Sequence, residues 1–377
     1  MKLLIISHTE HFKKGDSVAG WGPTIREINH LATLFDEVVH VATLNQGPAP
    51  ESALPYSADN IRLAPVAPSG GSGLLNKLNI LLQYPVYLLT ILRELRGVDV
   101  VHIRCPANIS LLAVLLITFL PWPRRRWTKY AGNWSPDGRE AFSYTLQRWW
   151  LNKGLQRGVV TVNGRWPGQP AHVHSFYNPC LTEEELQEGA RYAASKVPAV
   201  PLRLLYVGRL ETPKGVRRIL EITAQLHEMH VPVFVDLVGD GPEKPAFEEY
   251  VVQQGIQESV KFHGWVPRDQ LGPIYAQAHL MIFPSSSSEG WPKVLSEAMA
   301  YGVVPVTSTV SSVPQYLQDF KVGQTFAADD LQGFVKAVVW YSKHTSEWKQ
   351  ESDNAVQAAN LFSYQNYLNS VKQLLEL

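Results

Sequence analysis

Glu289 and Glu297 stand with seven residues between them in PSSSSEGWPKVLSEAMAYGVVP, Pro284 to Pro305. Carboxylates accept hydrogen bonds, so two that face one ligand suit the hydroxyls of a sugar or a ribose. The apolar run Ala278 to Phe283 predicts a buried strand whose outgoing loop opens into a helix. Pro292 fits the first helical turn, where its missing N–H costs nothing, and Leu295, Ala298 and Met299 repeat at helical spacing. Glu289 therefore belongs to the loop and Glu297 to the helix, with backbone N–H groups around Gly290, Trp291, Pro292 and Lys293 favouring negative charge or hydroxyl oxygens. A surface loop followed by an ordinary exposed glutamate gives the same two acids. A second pair of charges, Arg209 and Lys214 in YVGRLETPKG, flanks a predicted strand-to-helix turn. Two cations beside a helix N-terminus make a diphosphate site, although solvated loop charges look alike in sequence.

The elements that must position these groups alternate. In the second half, Leu204–Gly208 reads as a strand followed by a helix from Lys214 to about Met229. Val233–Val238 is a strand entering the turn Gly239–Glu243, Val260–Val266 is another, and Val303–Thr307 follows the helix of Glu297. In the first half, strands are expected at Lys2–Ser7, Val38–Thr43, near Ile61–Leu63, at Val98–Arg104, Trp127–Tyr130, Val159–Asn163 and His172–Pro179. Helices are expected at Thr24–Phe35, Leu74–Leu95 and Ile109–Leu120, and Lys13–Pro23 reads as a glycine-punctuated loop. That loop lacks the third glycine and the tight turn of a dinucleotide fingerprint, which excludes an NAD site. Thr182–Pro201 reads as an interdomain linker, and Trp340–Leu375 as largely helical. Two successive strand–helix sets predict an α/β protein with two Rossmann-like sheets.

The run EGWPKVLSEAMAYGVVPV resembles the Glu-x7-Glu signature of retaining GT-B glycosyltransferases of the large family 4, glycosyltransferase group 1. YVGRLETPKG resembles that family's phosphate-binding loop. The resemblance implies two Rossmann-like domains facing across a cleft: an acceptor-binding domain at 1–190, a nucleotide-sugar-binding domain at 200–357, and a C-terminal helix at 358–377 that packs back on the first. It implies a hexosyltransferase-type, metal-independent enzyme that moves a sugar from a nucleotide diphosphate sugar to an acceptor hydroxyl in polysaccharide or glycolipid biosynthesis. Arg209 and Lys214 would stabilise the departing diphosphate, Glu289 would hold donor-sugar hydroxyls, and Glu297 would accept from the ribose. Gly20, Gly22, Gly208, Gly264, Trp265, Val266, Gly290, Trp291, Pro292, Lys293 and Val294 would line the donor. Many relatives carry a histidine where this chain has Ala131, which leaves Asn133, Trp134 and Arg139 as acceptor-site candidates. No bound cofactor and no metal are expected, the nucleotide sugar being a co-substrate, and no Asp-x-Asp motif is present. A nucleotide-sugar epimerase of the same fold, or an inactive nucleotide-sugar-binding subunit, are the rival readings.

Composition bounds these readings. At 377 residues, 45% of them hydrophobic, the chain suits two globular domains. Lys+Arg and Asp+Glu are both 34, so nothing points to nucleic acid. Residues 1–180 hold 18 of the basic and 11 of the acidic side chains, leaving 16 and 23 to the remainder. A basic first half is compatible with peripheral contact at an anionic membrane surface, as is the aromatic-flanked cluster Pro121–Trp127, which equally reads as a solvated loop. Two cysteines, Cys105 and Cys180, suggest no disulfide framework. The expected setting is cytoplasmic, with a peripheral place on the inner membrane face and a sugar or lipid-linked saccharide as acceptor.

Overall fold

The computed structural model describes residues 1–15, 17–69, 74–136, 138, 140–287 and 290–377. The chain divides into one unit formed by Met1–Tyr177 with Tyr367–Leu377 and another formed by Asn178–Asn366. Each is built on a sheet with a parallel body flanked by helices.

The first unit contains β1 (Lys2–Lys14), β2 (Ser17–Trp21), α1 (Gly22–Ala32), β3 (Glu37–Asn45), β4 (Ala53–Pro55), β5 (Ile61–Val66), α2 (Leu74–Glu94) and β6 (Val100–Cys105). It continues through α3 (Asn108–Phe119), β7 (Arg125–Tyr130), α4 (Phe142–Asn152), β8 (Val159–Val162) and β9 (Val173–Ser175). Among the described residues these strands make one nine-stranded sheet. Its parallel body runs β5-β3-β1-β6-β7-β8-β9, and β2 and β4 add antiparallel to the far end of β1. Leu3 to Ile6, Val38, Val39, Val100 and Val101 are fully buried. Such strands read as continuous apolar runs because helices cover both faces.

Two expectations change here. The segment expected to be a loop, Lys13–Pro23, holds the end of β1, the whole of β2 and the start of α1; the two strands pair antiparallel, Lys14 with Ser17 and His11 with Gly20. In the basic cluster, Arg126 is only 5% exposed. Its guanidinium donates to the carbonyls of Ile117, Leu120, Pro123 and Gln156, so it is a structural residue; Arg124 remains exposed.

The second unit contains α5 (Glu183–Ala194), β10 (Leu202–Val207), a 3-10 turn (Thr212–Lys214), α6 (Val216–Glu228), β11 (Val233–Val238), α7 (Lys244–Gln253), β12 (Val260–Gly264) and α8 (Gly272–Gln277). There follow β13 (Leu280–Phe283), α9 (Lys293–Ala300), β14 (Val304–Ser308), α10 (Val313–Phe320), β15 (Gln324–Phe326), α11 (Leu331–Lys343) and α12 (Thr345–Ala359). The sheet order is β12-β11-β10-β13-β14-β15, all parallel. Thr182–Pro201, expected to be a linker, contains α5. A capping box starts that helix: Thr182 Oγ1 accepts from Glu185 N, and Glu185 returns the bond to Thr182 N. Gly189 lets it lie against the Ala300 backbone, where a Cβ would stand 2.4 Å from the carbonyl oxygen. α5 therefore belongs to the second unit, which begins at Asn178.

The last helix, α13 (Tyr364–Leu375), carries Tyr367, Val371 and Leu375 into the apolar cluster of the first unit with Leu3, Ile28 and Trp127. Burying each such side chain contributes roughly 1.5–3 kcal/mol. Tyr367 also donates to the fully buried Glu27, which pairs with Arg104 and Lys129, each at 2.7 Å. Among the described residues, no helix is long and apolar enough to cross a membrane.

Candidate functional site

In the second sheet, successive strands build outward from β10 to β12 and then restart at β13 on the other side of β10. That reversal is a topological switch point at the carboxyl ends of β10 and β13, the place where open α/β sheets take ligands. The two loops that leave these strands bind each other. Ser286 N donates to the Pro213 carbonyl at 2.9 Å, and the hydroxyls of Ser285, Ser286 and Ser287 aim at the same oxygen at 3.4, 3.2 and 3.3 Å. Arg218 Nη1 donates to the Pro284 carbonyl at 3.1 Å. Gly215, at φ 90°, starts α6 so close to this loop that a Cβ would lie 2.4 Å from Pro284 O.

On this scaffold Gly208 and Arg209 leave β10, and the Arg209 carbonyl is held by Tyr206 OH at 2.8 Å. The Arg209 guanidinium is 68% exposed and meets Glu211 at 2.5 Å. Lys214 ends the 3-10 turn, half-buried at the threshold of α6. Both cations thus stand near a helix start whose first N–H groups lack intrahelical partners, an arrangement that attracts anionic oxygens. Gly264 ends β12, its carbonyl accepting from Gly239 N at 2.8 Å; Trp265 beyond it is 41% exposed and Val266 half-buried.

Gly290 and Pro292 are buried in the run-in to α9, and Lys293 and Val294 occupy its first turn half-buried. The Trp291 side chain turns away from that edge. It is 3% exposed, donates to Ser296 Oγ at 2.7 Å and stacks on Phe362 at 5.1 Å. Its indole is a core group, and only its backbone borders the loop. Glu289, like Arg139, lies outside the described residues.

Glu297 projects from α9 and is 7% exposed. Oε1 pairs with Arg268 Nη1, and Oε2 accepts from Tyr275 OH at 3.1 Å. Arg268 also binds Glu185 at 3.1 Å and the Cys180 carbonyl at 2.7 Å. Although burial opposes its charge, the two carboxylates raise the Arg268 pKa. Burial, with Glu297 beside them, pushes the Tyr275 phenol well up and the Cys180 thiol up to about 12. Arg268, Tyr275 and Glu185 carry no motif; only the fold brings them to Glu297.

The first unit holds the other expected residues. Gly20 sits in β2 under the His11 ring, where a Cβ would be 2.7 Å from Cδ2, and Gly22 N donates to the Ser52 carbonyl at 3.2 Å. Both are explained by packing. Asn133 is buried and its Oδ1 accepts from Ser135 N at 3.1 Å, while Trp134 stands edge-on to Tyr130 at 5.3 Å. Ala131 is exposed, its N–H bonded to the Cys105 carbonyl.

Residues 193–359 match the family model described as Glycosyl transferases group 1. The lipopolysaccharide core biosynthesis glycosyltransferase LpsE of Rhizobium meliloti is 31% identical over 142 residues, 37% of this chain and 39% of that protein. The chain spans 38–39% of the lengths of the first curated relatives it matches. Among solved structures, sucrose-phosphate synthase of Thermosynechococcus elongatus superposes with TM-score 0.71 at 16% identity, covering 99% of this chain and 98% of that one. HepE of Anabaena, in complex with UDP, gives 0.69 at 15% identity over 100% of both chains. The fold is therefore that of the GT-B glycosyltransferases, two Rossmann-like α/β domains, and the matched segment and relatives support the group 1 family.

Proposed function

We propose that this protein is a retaining, metal-independent glycosyltransferase that transfers a sugar from a nucleoside diphosphate sugar to an acceptor hydroxyl in the assembly of a surface polysaccharide or glycolipid. The observation that carries this reading is the switch point between β10 and β13, where the loop with Arg209 and Lys214 and the start of α6 packs against the loop that leaves β13. The group 1 family match over residues 193–359 supports it. As the glycosidic bond breaks, negative charge grows on the diphosphate; Arg209 and Lys214 stabilise it from positions fixed before the reaction. Glu297, steadied by Arg268 and Tyr275, keeps lone pairs for the ribose hydroxyls, since an ionised carboxylate has about four acceptor sites. Backbone groups of Gly264 to Val266 border the base. Glu289 holds the donor sugar, a role that rests on the sequence signature. The acceptor hydroxyl enters from the leaving-group face, the departing phosphate takes its proton, and the configuration is kept.

The acceptor is a saccharide, carried on a lipid at the cytoplasmic membrane face. Leu82, Val86 and Leu89 on α2, with Phe119 and Trp122 at the end of α3, are exposed and suit peripheral membrane contact.

A thermal-shift screen against UDP, GDP, ADP, TDP and their sugar conjugates tests the donor site. A nucleotide at about a hundred times its dissociation constant adds roughly 2.7 kcal/mol of stability. The expected result is a shift for one nucleotide that is lost in Arg209→Ala. A protein that responds to none of them has no donor site, and the reading fails.

A further inference from the structure

We propose that a tryptophan-lined groove along α4, in the first unit, binds a neutral oligosaccharide. The groove encloses about 430 Å³, within the size range of small-ligand sites. One wall is a single helical stripe, because Thr145, Arg148, Trp149 and Asn152 fall at i, i+3, i+4 and i+7 of α4. Trp134, after β7, and Trp166, between β8 and β9, complete it.

Each indole is held by its own neighbour. Trp134 stands edge-on to Tyr130 at 5.3 Å, and Trp149 edge-on to Trp150 at 6.0 Å while remaining 51% exposed. Trp166 donates its ring N–H to the Asn163 carbonyl at 2.9 Å. Rings fixed in advance lose little freedom when a ligand arrives.

The chemistry of the groove selects the ligand. A pyranose offers an apolar C–H face and a rim of hydroxyls, which matches indole faces set among an exposed amide, Asn152, and an exposed hydroxyl, Thr145. Arg148 is the charged side chain lining the groove among the described residues, and it is neutralised by Glu140 and bonded to Tyr130 OH at 3.2 Å. With that one charge paired, the described lining suits an uncharged saccharide. Three rings spread over three chain segments call for several sugar units. That this oligosaccharide is the acceptor chain rests on the glycosyl-transfer reading; the binding itself does not.

The test titrates the full chain with maltotriose, cellotriose and mannotriose, followed by saturation-transfer NMR so that the readout is independent of the mutated ring. At least one trisaccharide should bind more tightly than its monosaccharide. Trp149→Ala should weaken it roughly tenfold and Trp149→Phe should recover most of the loss. No trisaccharide binding up to about 10 mM, or binding indifferent to Trp149→Ala, overturns the proposal. The nucleotide thermal shift, measured on the same samples, separates the two readings: trisaccharide binding without it upholds the groove while the donor site fails.

Discussion

Arg209 and Arg268 are both paired arginines, yet one pair is exposed and the other largely buried. Arg209 is 68% exposed against Glu211, and an exposed pair of this kind contributes about 0–1 kcal/mol. Arg209→Ala should therefore leave the melting temperature almost unchanged while lowering kcat by about 10²–10³, the usual effect of losing one charge-stabilising donor. Parallel melts and steady-state rates check it, and a melting point that falls with the rate would make Arg209 structural. Arg268 joins Glu297 and Glu185, and the Glu297 carboxylate is buried. Removing one partner strands the other, at about 3–5 kcal/mol. Arg268→Ala should lower stability by that order in a urea titration and weaken nucleotide binding as Glu297 loses its orientation. The sequence singles out the acids and the phosphate-loop cations because their types and spacing suggest chemistry, and the fold places Arg209, Lys214 and Glu297 on the elements expected. Arg268 was not legible, because its partners lie 83 and 29 residues away and meet it only in the fold.

At the level of elements, the parallel strands could be read directly, since each is an unbroken apolar run covered on both faces. The misread segments are those where local signals and tertiary packing disagree. Lys13–Pro23 carries loop residues but is drawn into a hairpin by pairing of His11 with Gly20 and Lys14 with Ser17. Thr182–Pro201 ends in prolines, but its first part, Glu183–Ala194, folds as α5 through a capping box and the close approach of Gly189 to Ala300. Patterning does not reveal α4, because Phe142, Tyr144 and Trp149 point outward at 80%, 38% and 51% exposure. The join between α6 and the loop after β13 makes a sharper test of element packing. Gly215 has φ 90°, and a Cβ there meets Pro284 O at 2.4 Å. Gly215→Ala pays backbone strain of roughly 1–2 kcal/mol and must also push the two loops apart. It should lower stability by at least that much and abolish the nucleotide-induced thermal shift, as a paired melt with and without nucleotide would record. A variant that melts normally and still responds to nucleotide would show that the two loops do not set the donor site together.

Across the whole molecule, buried histidines make stability depend on acidity in one direction. Burial lowers the pKa of His11, His40 and His102 in the first unit and of His279, down to about 4, in the second. Each is neutral in the folded protein at a pH where the unfolded chain, with its ordinary value near 6.5, already binds a proton. The unfolded state then holds more protons, so stability rises with pH and is lost as pH falls below about 6.5. A fully buried histidine costs about 1.4 kcal/mol per pH unit in that range. The first unit carries more of them and should be the first to melt as the solution is acidified. His102 isolates the effect: it is fully buried, stacks on Trp127 at 3.7 Å, and its ring nitrogens have no hydrogen-bond partner among the described residues. Phenylalanine keeps the stacked ring and cannot be protonated. Whatever His102→Phe does to packing is the same at pH 7.5 and 5.5, so the change between the two conditions reports the proton alone. The variant should gain about 1 kcal/mol relative to the parent on going from pH 7.5 to 5.5. Calorimetric melts of both proteins at the two pH values decide it, and parallel pH dependences would mean that His102 is protonated, or open to water, in the folded chain.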